Sequence, residues 1–181
     1  MTDFYRQAEN EAAPLILTAL LEDEAAQRFD LMRRAYFPAE RNKIAAHLTM
    51  FHALPGSALG DLEDELAERC WQMEPFEARA SELRFTGHGV AIGIDAPPLE
   101  ALRIGIAQSW LDRLTAQDRQ RYRPHVTVQN KVSPERARKT FDALQSVFEP
   151  WSLLIEGVEL WHYRGGPWER AATFPFGGAP A

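Results

Sequence analysis

Apolar and polar residues repeat with two periods along the chain, and each period predicts one type of element. Alternating or short apolar runs predict β-strands at 14–21, 44–54, 76–85, 89–95, 125–131 and 152–163. Apolar residues three or four apart predict helices at 22–37, 60–73, 98–114 and from 133 onward. Turn residues separate these segments, as at Pro38, Pro55-Gly56 and Gly165-Gly166-Pro167.

The order of these elements repeats once along the chain. Strand, helix, strand, helix and strand occur in the first half, and the second half has the same order. An internal duplication explains this order most simply. We therefore predict one globular domain over residues 1–181, made of two interwoven pseudo-symmetric lobes.

A histidine and a threonine stand two residues apart in one apolar strand of each half. They are His47 and Thr49 in "HLTM", and His125 and Thr127 in "HVTV". Five histidines and eight threonines in 181 residues give roughly 0.2 such matches by chance. Two copies at corresponding places in the repeated order therefore indicate a shared function.

Each histidine and its threonine are expected to project from the same face of their strand, because successive strand residues point to opposite faces. The accessible face of the first strand is expected to carry His47, Thr49 and Phe51, with Leu48 and Met50 in the core. The accessible face of the second is expected to carry His125, Thr127, Gln129 and, if the strand continues, Lys131, with Val126 and Val128 in the core.

Paired imidazoles and hydroxyls suit one kind of chemistry. Histidine titrates near neutral pH and serves as general acid or general base. Threonine hydroxyls donate hydrogen bonds to phosphate oxygens, whose charge grows during displacement. The pattern predicts a phosphodiester site that needs no metal and no cofactor. The structural alternative is two strand histidines that only bond to neighbouring backbone.

Composition is that of an ordinary globular domain, with 45% hydrophobic and 25% charged residues. The apolar run "PLILTALL" is far shorter than the ~20 residues of a membrane span and lacks a preceding basic region. The single cysteine, Cys70, has neither a disulfide partner nor a metal-ligand partner at useful spacing. We expect a monomeric cytoplasmic protein with no membrane contact.

Charge is distributed unevenly. The net charge of -6 and the pI near 5.4 disfavour tight, sequence-independent binding to long nucleic acid. Residues 113–139, however, hold eight basic side chains and two acidic ones. This segment either forms a solvated surface or attracts a small anionic ligand beside the second His-x-Thr strand.

The doubled motif resembles that of the 2H phosphoesterase superfamily, which includes bacterial 2′-5′ RNA ligase-like proteins and cyclic nucleotide phosphodiesterases. "RPHVTV" also has the proline that this family often places before the second histidine. The resemblance implies a bilobal α+β fold, in which antiparallel sheets line a central cleft and helices lie outside. It also implies that His47, Thr49, His125 and Thr127 are catalytic.

Three functions follow as hypotheses. The first is a metal-independent phosphoesterase that hydrolyses a cyclic (2′,3′- or 1″,2″-) or 2′-5′ phosphodiester of nucleotide or RNA origin. The others are 2′-5′ RNA end joining and a non-catalytic module that binds RNA ends or nucleotides. The candidate substrate-binding residues are Phe51, Tyr122, Arg123, Gln129 and Lys131. Trp161, Tyr163 and Trp168 either stack on a base or pack within their own hairpin.

Overall fold

A computed structural model describes residues 13–178 of the chain. Its strands are β1 (Leu15–Leu21), β2 (Leu48–Leu54), β3 (Phe76–Phe85), β4 (Val90–Asp95), β5 (His125–Gln129), β6 (Trp151–His162) and β7 (Glu169–Pro175). Its α-helices are α1 (Asp23–Tyr36), α2 (Leu59–Trp71), α3 (Pro97–Ser109) and α4 (Pro134–Gln145). None of the helices within these residues is long and apolar enough to cross a membrane.

All strand pairs are antiparallel and belong to one sheet, in the order β1-β2-β5-β4-β3-β6-β7. β1 also pairs with β6, so six strands close into a barrel-like arrangement and β7 extends it beyond β6. The strand pair with the fewest paired residues is β2–β5, which has the single register pair Leu48–Val126. These are the two strands that carry the His-x-Thr motifs.

Helices pack on one face of this closed sheet and bury the apolar stripes that the sequence predicts. α1 packs against β5, α4 against β3 and β4, and α2 against β7. Phe29 of α1, Leu62 of α2 and Leu99 of α3 are fully buried, each worth ~1.5–3 kcal/mol of apolar transfer. The Ser133 hydroxyl accepts a hydrogen bond from the Arg136 N–H and so caps α4, as expected for Ser before Pro at a helix start.

Most predicted elements are confirmed, and two of their bounds shift by four or more residues. The helix expected at 98–114 ends at Ser109 and is followed by a short 3-10 turn at Leu111–Arg113. The strand expected at 44–54 begins at Leu48, one residue after His47. The mixed helix and strand composition is as predicted, but the strands form one closed sheet and not two facing sheets. The two-lobed duplication stays a prediction.

Each motif strand contains a β-bulge directly after its threonine. Thr18 of β1 pairs with Thr49, but the preceding Leu17 pairs with Phe51, so Met50 is the extra residue. In the same way Ala91 of β4 pairs with Thr127 and Val90 pairs with Gln129. A bulge breaks the two-residue alternation of side chains. The side chains two residues after the threonines, Phe51 and Gln129, therefore point to the face of the sheet on which the helices pack.

Candidate functional site

The sheet register brings the two His-x-Thr motifs together. Because Leu48 pairs with Val126 in an antiparallel ladder, the same register sets His47 across from Thr127 and Thr49 across from His125. Leu48 and Val126 are fully buried, so the four motif side chains point to the opposite side of the sheet. We call the surface that carries His47, Thr49, His125 and Thr127 the motif face. On it, each imidazole is next to the hydroxyl of the other strand.

Both imidazoles are held in the same way. His47 Nδ1 lies 2.8 Å from the carbonyl oxygen of Ala45, and His125 Nδ1 lies 2.8 Å from that of Arg123. A carbonyl only accepts, so each Nδ1 carries the hydrogen and donates it. Each ring is therefore fixed by the carbonyl two residues earlier, and Nε2 is the nitrogen available for proton transfer.

The surroundings of the two histidines differ. The ring of Trp168 lies 4.5 Å from that of His47, centroid to centroid, and His47 is half-buried, whereas His125 is exposed. Burial lowers the pKa of His47 to about 4, although the hydrogen bond to Ala45 opposes this. The nearby charges of Arg33, His52 and His125 lower it further. His47 is therefore neutral at pH 7, ready to accept a proton.

Helix α1 supports the first histidine and the second motif strand together. Asp30 Oδ1 accepts a hydrogen bond from the Ala46 N–H at 2.6 Å, directly before His47. Arg33 is 3% exposed and donates from Nη1 to the Thr127 carbonyl at 2.8 Å. Its Nε and Nη2 donate to Asn42 Oδ1 at 3.1 and 3.0 Å. One buried guanidinium thus ties the segment before His47 to the backbone of β5.

A second buried arginine, Arg103 of α3, connects the first motif strand, β2, to the loop that precedes the second. Its Nε donates to the carbonyl of Met50, the extra residue of the β2 bulge, at 3.4 Å, and its Nη2 donates to the carbonyl of Asp118. The guanidinium lies over the rings of Phe51 and Tyr122, at 4.6 and 5.2 Å from their centroids. α3 therefore holds the first motif strand and the loop that leads to the second.

Asp118 fastens that loop to β2. Its carboxylate accepts from the N–H groups of His52 and Ala53, each at 2.9 Å, and contacts His52 Nδ1 at 3.2 Å. Burial alone would raise the pKa of Asp118, but these hydrogen bonds together lower it, so the side chain is an anion. The ring of His52 is thereby engaged by Asp118, outside the motif pair.

Arg84 of β3 is a cation beside His125. Its Nη1 lies 3.4 Å from the Arg123 carbonyl, the same oxygen that accepts from His125 Nδ1, and 3.2 Å from the Pro124 carbonyl. The guanidinium lies over Gly93, the residue paired with His125, where a Cβ would come within 2.8 Å of Arg84 Nε. The missing side chain at position 93 is what lets this cation approach the second motif.

The five predicted substrate-binding residues do not gather at the motif face. Phe51 and Gln129 are at most 1% exposed, because the bulges turn them toward the helices. The prediction that these two side chains lie on the accessible face of their strands is therefore wrong. Phe51 packs under Arg103, and Gln129 Nε2 donates to the Tyr36 carbonyl and Thr140 Oγ1.

The other three of these residues stand in the segments on either side of β5. Tyr122 is mostly buried, and its burial raises its pKa. Arg123 is exposed and contributes its carbonyl to His125. Lys131 is exposed and lies beyond the last residue of β5, where the strand alternation no longer applies.

A cavity of about 380 Å³ opens beside His47. Trp161 and Trp168 line it, together with Thr18, Glu159 and Arg170. Trp161 Nε1 donates to Thr18 Oγ1 at 2.9 Å, which fixes the indole. Burial raises the pKa of Glu159, and Arg170 opposes that shift. The cavity therefore has an aromatic wall and an ion pair, and it meets the motif face at His47.

A second cavity and the single cysteine lie away from the motif face. A larger cavity, of about 960 Å³, lies between α2 and β7 and includes none of the four motif residues. Cys70 lines it, but burial raises the pKa of this thiol to about 12, so it is not a nucleophile at neutral pH. Within residues 13–178, no three His, Cys, Asp or Glu side chains are arranged to hold a metal ion.

The chain matches one known protein family in sequence. The sequence profile of the 2′-5′ RNA ligase superfamily matches residues 21–167. Among curated proteins, none matches the chain in sequence.

Solved structures share the fold at low sequence identity. TT0787 of Thermus thermophilus is 15% identical, with a TM-score of 0.67, over 91% of this chain and 98% of that one. E. coli LigT complexed with 3′-AMP is 16% identical, with a TM-score of 0.61, over 91% and 98% of the two chains. A phosphoesterase gives the same four values. Likeness at these identities establishes the fold alone.

Proposed function

Because the chain belongs to the 2′-5′ RNA ligase superfamily, we propose that it is a phosphoesterase that cleaves a cyclic or 2′-5′ phosphodiester of a nucleotide or RNA end. The observation that carries this proposal is the β2–β5 register, which sets His47, Thr49, His125 and Thr127 on one face. The LigT crystal structures with 3′-AMP and with phosphate support a nucleotide or phosphate ligand for this fold.

The two histidines divide the proton transfers between them. His47, neutral at pH 7, takes a proton from water at Nε2 as the water oxygen bonds to phosphorus. His125 in its protonated form gives a proton from Nε2 to the ribose oxygen as its bond to phosphorus breaks. Thr49 and Thr127 donate hydrogen bonds to the non-bridging oxygens, whose negative charge grows in the transition state. The product is a phosphomonoester.

End joining is the second candidate, and the family description favours it. In end joining a ribose 5′-hydroxyl replaces water: its oxygen bonds to the phosphorus of a 2′,3′-cyclic end while one histidine takes its proton, and the 3′-oxygen leaves with a proton from the other histidine. Hydrolysis is the primary proposal because the motif face is partly exposed, so that water reaches it, and because the net charge of -6 disfavours long RNA.

A substrate panel tests the proposal. Purified protein is incubated with 2′,3′-cyclic mononucleotides, ADP-ribose 1″,2″-cyclic phosphate and 2′-5′-linked dinucleotides, in parallel with EDTA and with added Mg²⁺ or Mn²⁺, and products are followed by mass spectrometry. We expect conversion of at least one class to a phosphomonoester. Ligation of RNA ends without hydrolysis would favour the second candidate. Binding without turnover across the panel would identify a non-catalytic module, and turnover that requires added divalent ion would contradict a metal-independent site.

The pH dependence tests the assignment of His47 as the base. Activity should fall on the acidic side with a midpoint at pH about 4, where His47 becomes protonated. Because burial is the main cause of the lowered pKa, Trp168→Ala should expose the ring and move this midpoint upward, toward the ordinary value of about 6.5. Rate–pH profiles of kcat/KM, which report the pKa values of the free enzyme, measure the shift.

Trp71→Ala is the matched control, because Trp71 is 44% exposed on α2 and lines the other cavity. Its acidic midpoint should equal that of the parent protein. An unchanged midpoint in Trp168→Ala, or an equal shift in Trp71→Ala, would show that a group other than His47 controls the acidic limb.

A further inference from the structure

The cavity beside His47 is continuous with the motif face. Thr18 of β1 pairs directly with Thr49 on one side and with Glu159 of β6 on the other, so the three side chains form one row across the sheet. Trp161 lies two residues after Glu159 on the same face of β6, and Arg170 of β7 pairs with Trp161. A ligand whose phosphate is held at the motifs can therefore extend along this row to Glu159.

Glu159 and Arg170 form an ion pair that stays open to a ligand. Arg170 Nε lies 3.2 Å from Glu159 Oε1. The Glu159 side chain is 14% exposed, whereas that of Arg170 is 60% exposed. The Arg170 guanidinium also lies over the Trp161 ring, 5.2 Å from its centroid. The carboxylate is thus shielded from bulk water and lies beside a guanidinium with further N–H donors.

The two tryptophans form an aromatic wall of the cavity. Trp161 and Trp168 have centroids 6.2 Å apart and planes tilted by 53°, so neither indole stacks on the other. This wall and His47 line a cavity of about 380 Å³. Aromatic side chains contribute about 1–3 kcal/mol per stacked base without distinguishing among bases. Discrimination must come from the polar groups of the cavity.

The Glu159–Arg170 pair offers both kinds of hydrogen-bonding group. A carboxylate only accepts and a guanidinium only donates, so the pair presents two acceptor oxygens beside further N–H donors. A base that satisfies both side chains needs two neighbouring donors next to an acceptor. Guanine has this set, in N1–H, the 2-amino group and O6, whereas adenine, cytosine and uracil each have one donor group on the same edge.

We propose that this cavity binds guanine, so that the substrate class is a guanosine phosphodiester with its base at Glu159 and Arg170 and its phosphate at the two motifs. This inference rests on the proposed function for the phosphate end of the ligand only. Glu159 and Arg170 contact the base edge, and the indoles of Trp161 and Trp168 line the cavity beside the base. A base that lacks the two donors places an acceptor against the shielded carboxylate, which costs affinity and so discriminates against that base.

The test measures kcat/KM for 2′,3′-cyclic GMP, IMP, AMP, CMP and UMP. We expect guanine to be preferred over uracil by about 10- to 100-fold, the range of one good bidentate base contact. The inosine substrate lacks only the 2-amino donor and should fall between the two. In Glu159→Gln, which replaces one acceptor oxygen by an amide donor, the ratio of guanine to uracil activity should fall toward one. A ratio of two substrates is independent of how much of the variant is folded.

Glu169→Gln is the matched control. Glu169 belongs to the neighbouring ion pair with Arg164 on the same hairpin, and its side chain is 59% exposed. This variant should keep the parent ratio. Equal activity on all five substrates, or the same loss of preference in Glu169→Gln and Glu159→Gln, would overturn the guanine site while leaving the phosphoesterase proposal intact.

Equilibrium binding separates the two proposals if no substrate turns over. Titration of the parent protein and Glu159→Gln with 3′-GMP and 3′-UMP, followed by tryptophan fluorescence, uses stable ligands that need no catalysis. Preferential binding of 3′-GMP that is lost in Glu159→Gln would uphold the base site without the reaction. Equal binding of the two nucleotides would overturn it.

Discussion

His47→Ala and His125→Ala should each lower kcat for the best substrate of the panel by about 10²- to 10⁴-fold, the usual loss for a general acid or base. Each imidazole presents Nε2 for proton transfer because its Nδ1 donates to a backbone carbonyl at 2.8 Å. An alanine has no group to replace it. Steady-state kinetics of both variants, with thermal unfolding as a measure of folding, give the result.

His88→Ala is the control for these two variants. His88 lies outside both motifs, in the β3–β4 turn, and its Nδ1 also contacts a backbone carbonyl, that of Val132, at 3.1 Å. Its kcat should match the parent protein. If His47 and His125 act in one step, the double variant should lose little more than either single variant, since groups that act as a unit are not additive. Full activity in either single variant would refute the paired mechanism.

Thr49→Val and Thr127→Val should each reduce kcat by about 10- to 1000-fold, the range expected for removal of one donor to a charged transition state. Valine keeps the shape of threonine and removes the hydroxyl. The register places each hydroxyl beside the histidine of the other strand, so we expect both donors to reach the same phosphate. The loss should appear in kcat, because the oxygens gain charge only as the reaction proceeds.

Thr86→Val is the control for the hydroxyl deletion, because Thr86 is exposed in the turn between β3 and β4. It should leave kcat and KM unchanged. A rise in KM without a fall in kcat for Thr49→Val and Thr127→Val would mean that the hydroxyls bind substrate and transition state equally well.

The alternation of apolar residues was sufficient to predict the inward side of each motif strand. Leu48, Met50, Val126 and Val128 are all at most 1% exposed, as the period of two requires. The same rule failed one residue further on, at Phe51 and Gln129. A bulge is set by how a strand pairs with its neighbour, and no residue within "HLTMF" or "HVTVQ" indicates it.

The residues that support the motifs are distant from them in sequence, which is why patterns did not reveal them. Arg33 reaches the Thr127 carbonyl across 94 residues, and Arg103 reaches Met50 across 53. A local clue existed for Arg33, which follows the buried Phe29 by four residues and so lies on the apolar stripe of α1. Arg84 gave no such clue, since its approach depends on Gly93 in the neighbouring strand.

Closure of the sheet is a further property that element order does not determine. The pairing of β1 with β6 joins segments from opposite ends of the chain, and the order of strands differs from the order in sequence. Predicting two similar halves from the repeated order gave the elements correctly, but it suggested two sheets where the strands form one. Long-range pairing of this kind is fixed by tertiary packing of the helix-covered face.

The position of a transition-state analogue in the site tests the central claim most directly. A crystal structure with a nucleoside 2′,3′-vanadate, whose metal centre mimics five-coordinate phosphorus, locates the groups that contact each oxygen. We predict one apical oxygen within about 2.6–3.2 Å of His47 Nε2, the other equally near His125 Nε2, and equatorial oxygens bonded to Thr49 and Thr127. An analogue that contacts only one of the two motifs, or that binds away from both, would contradict a site built from the two together.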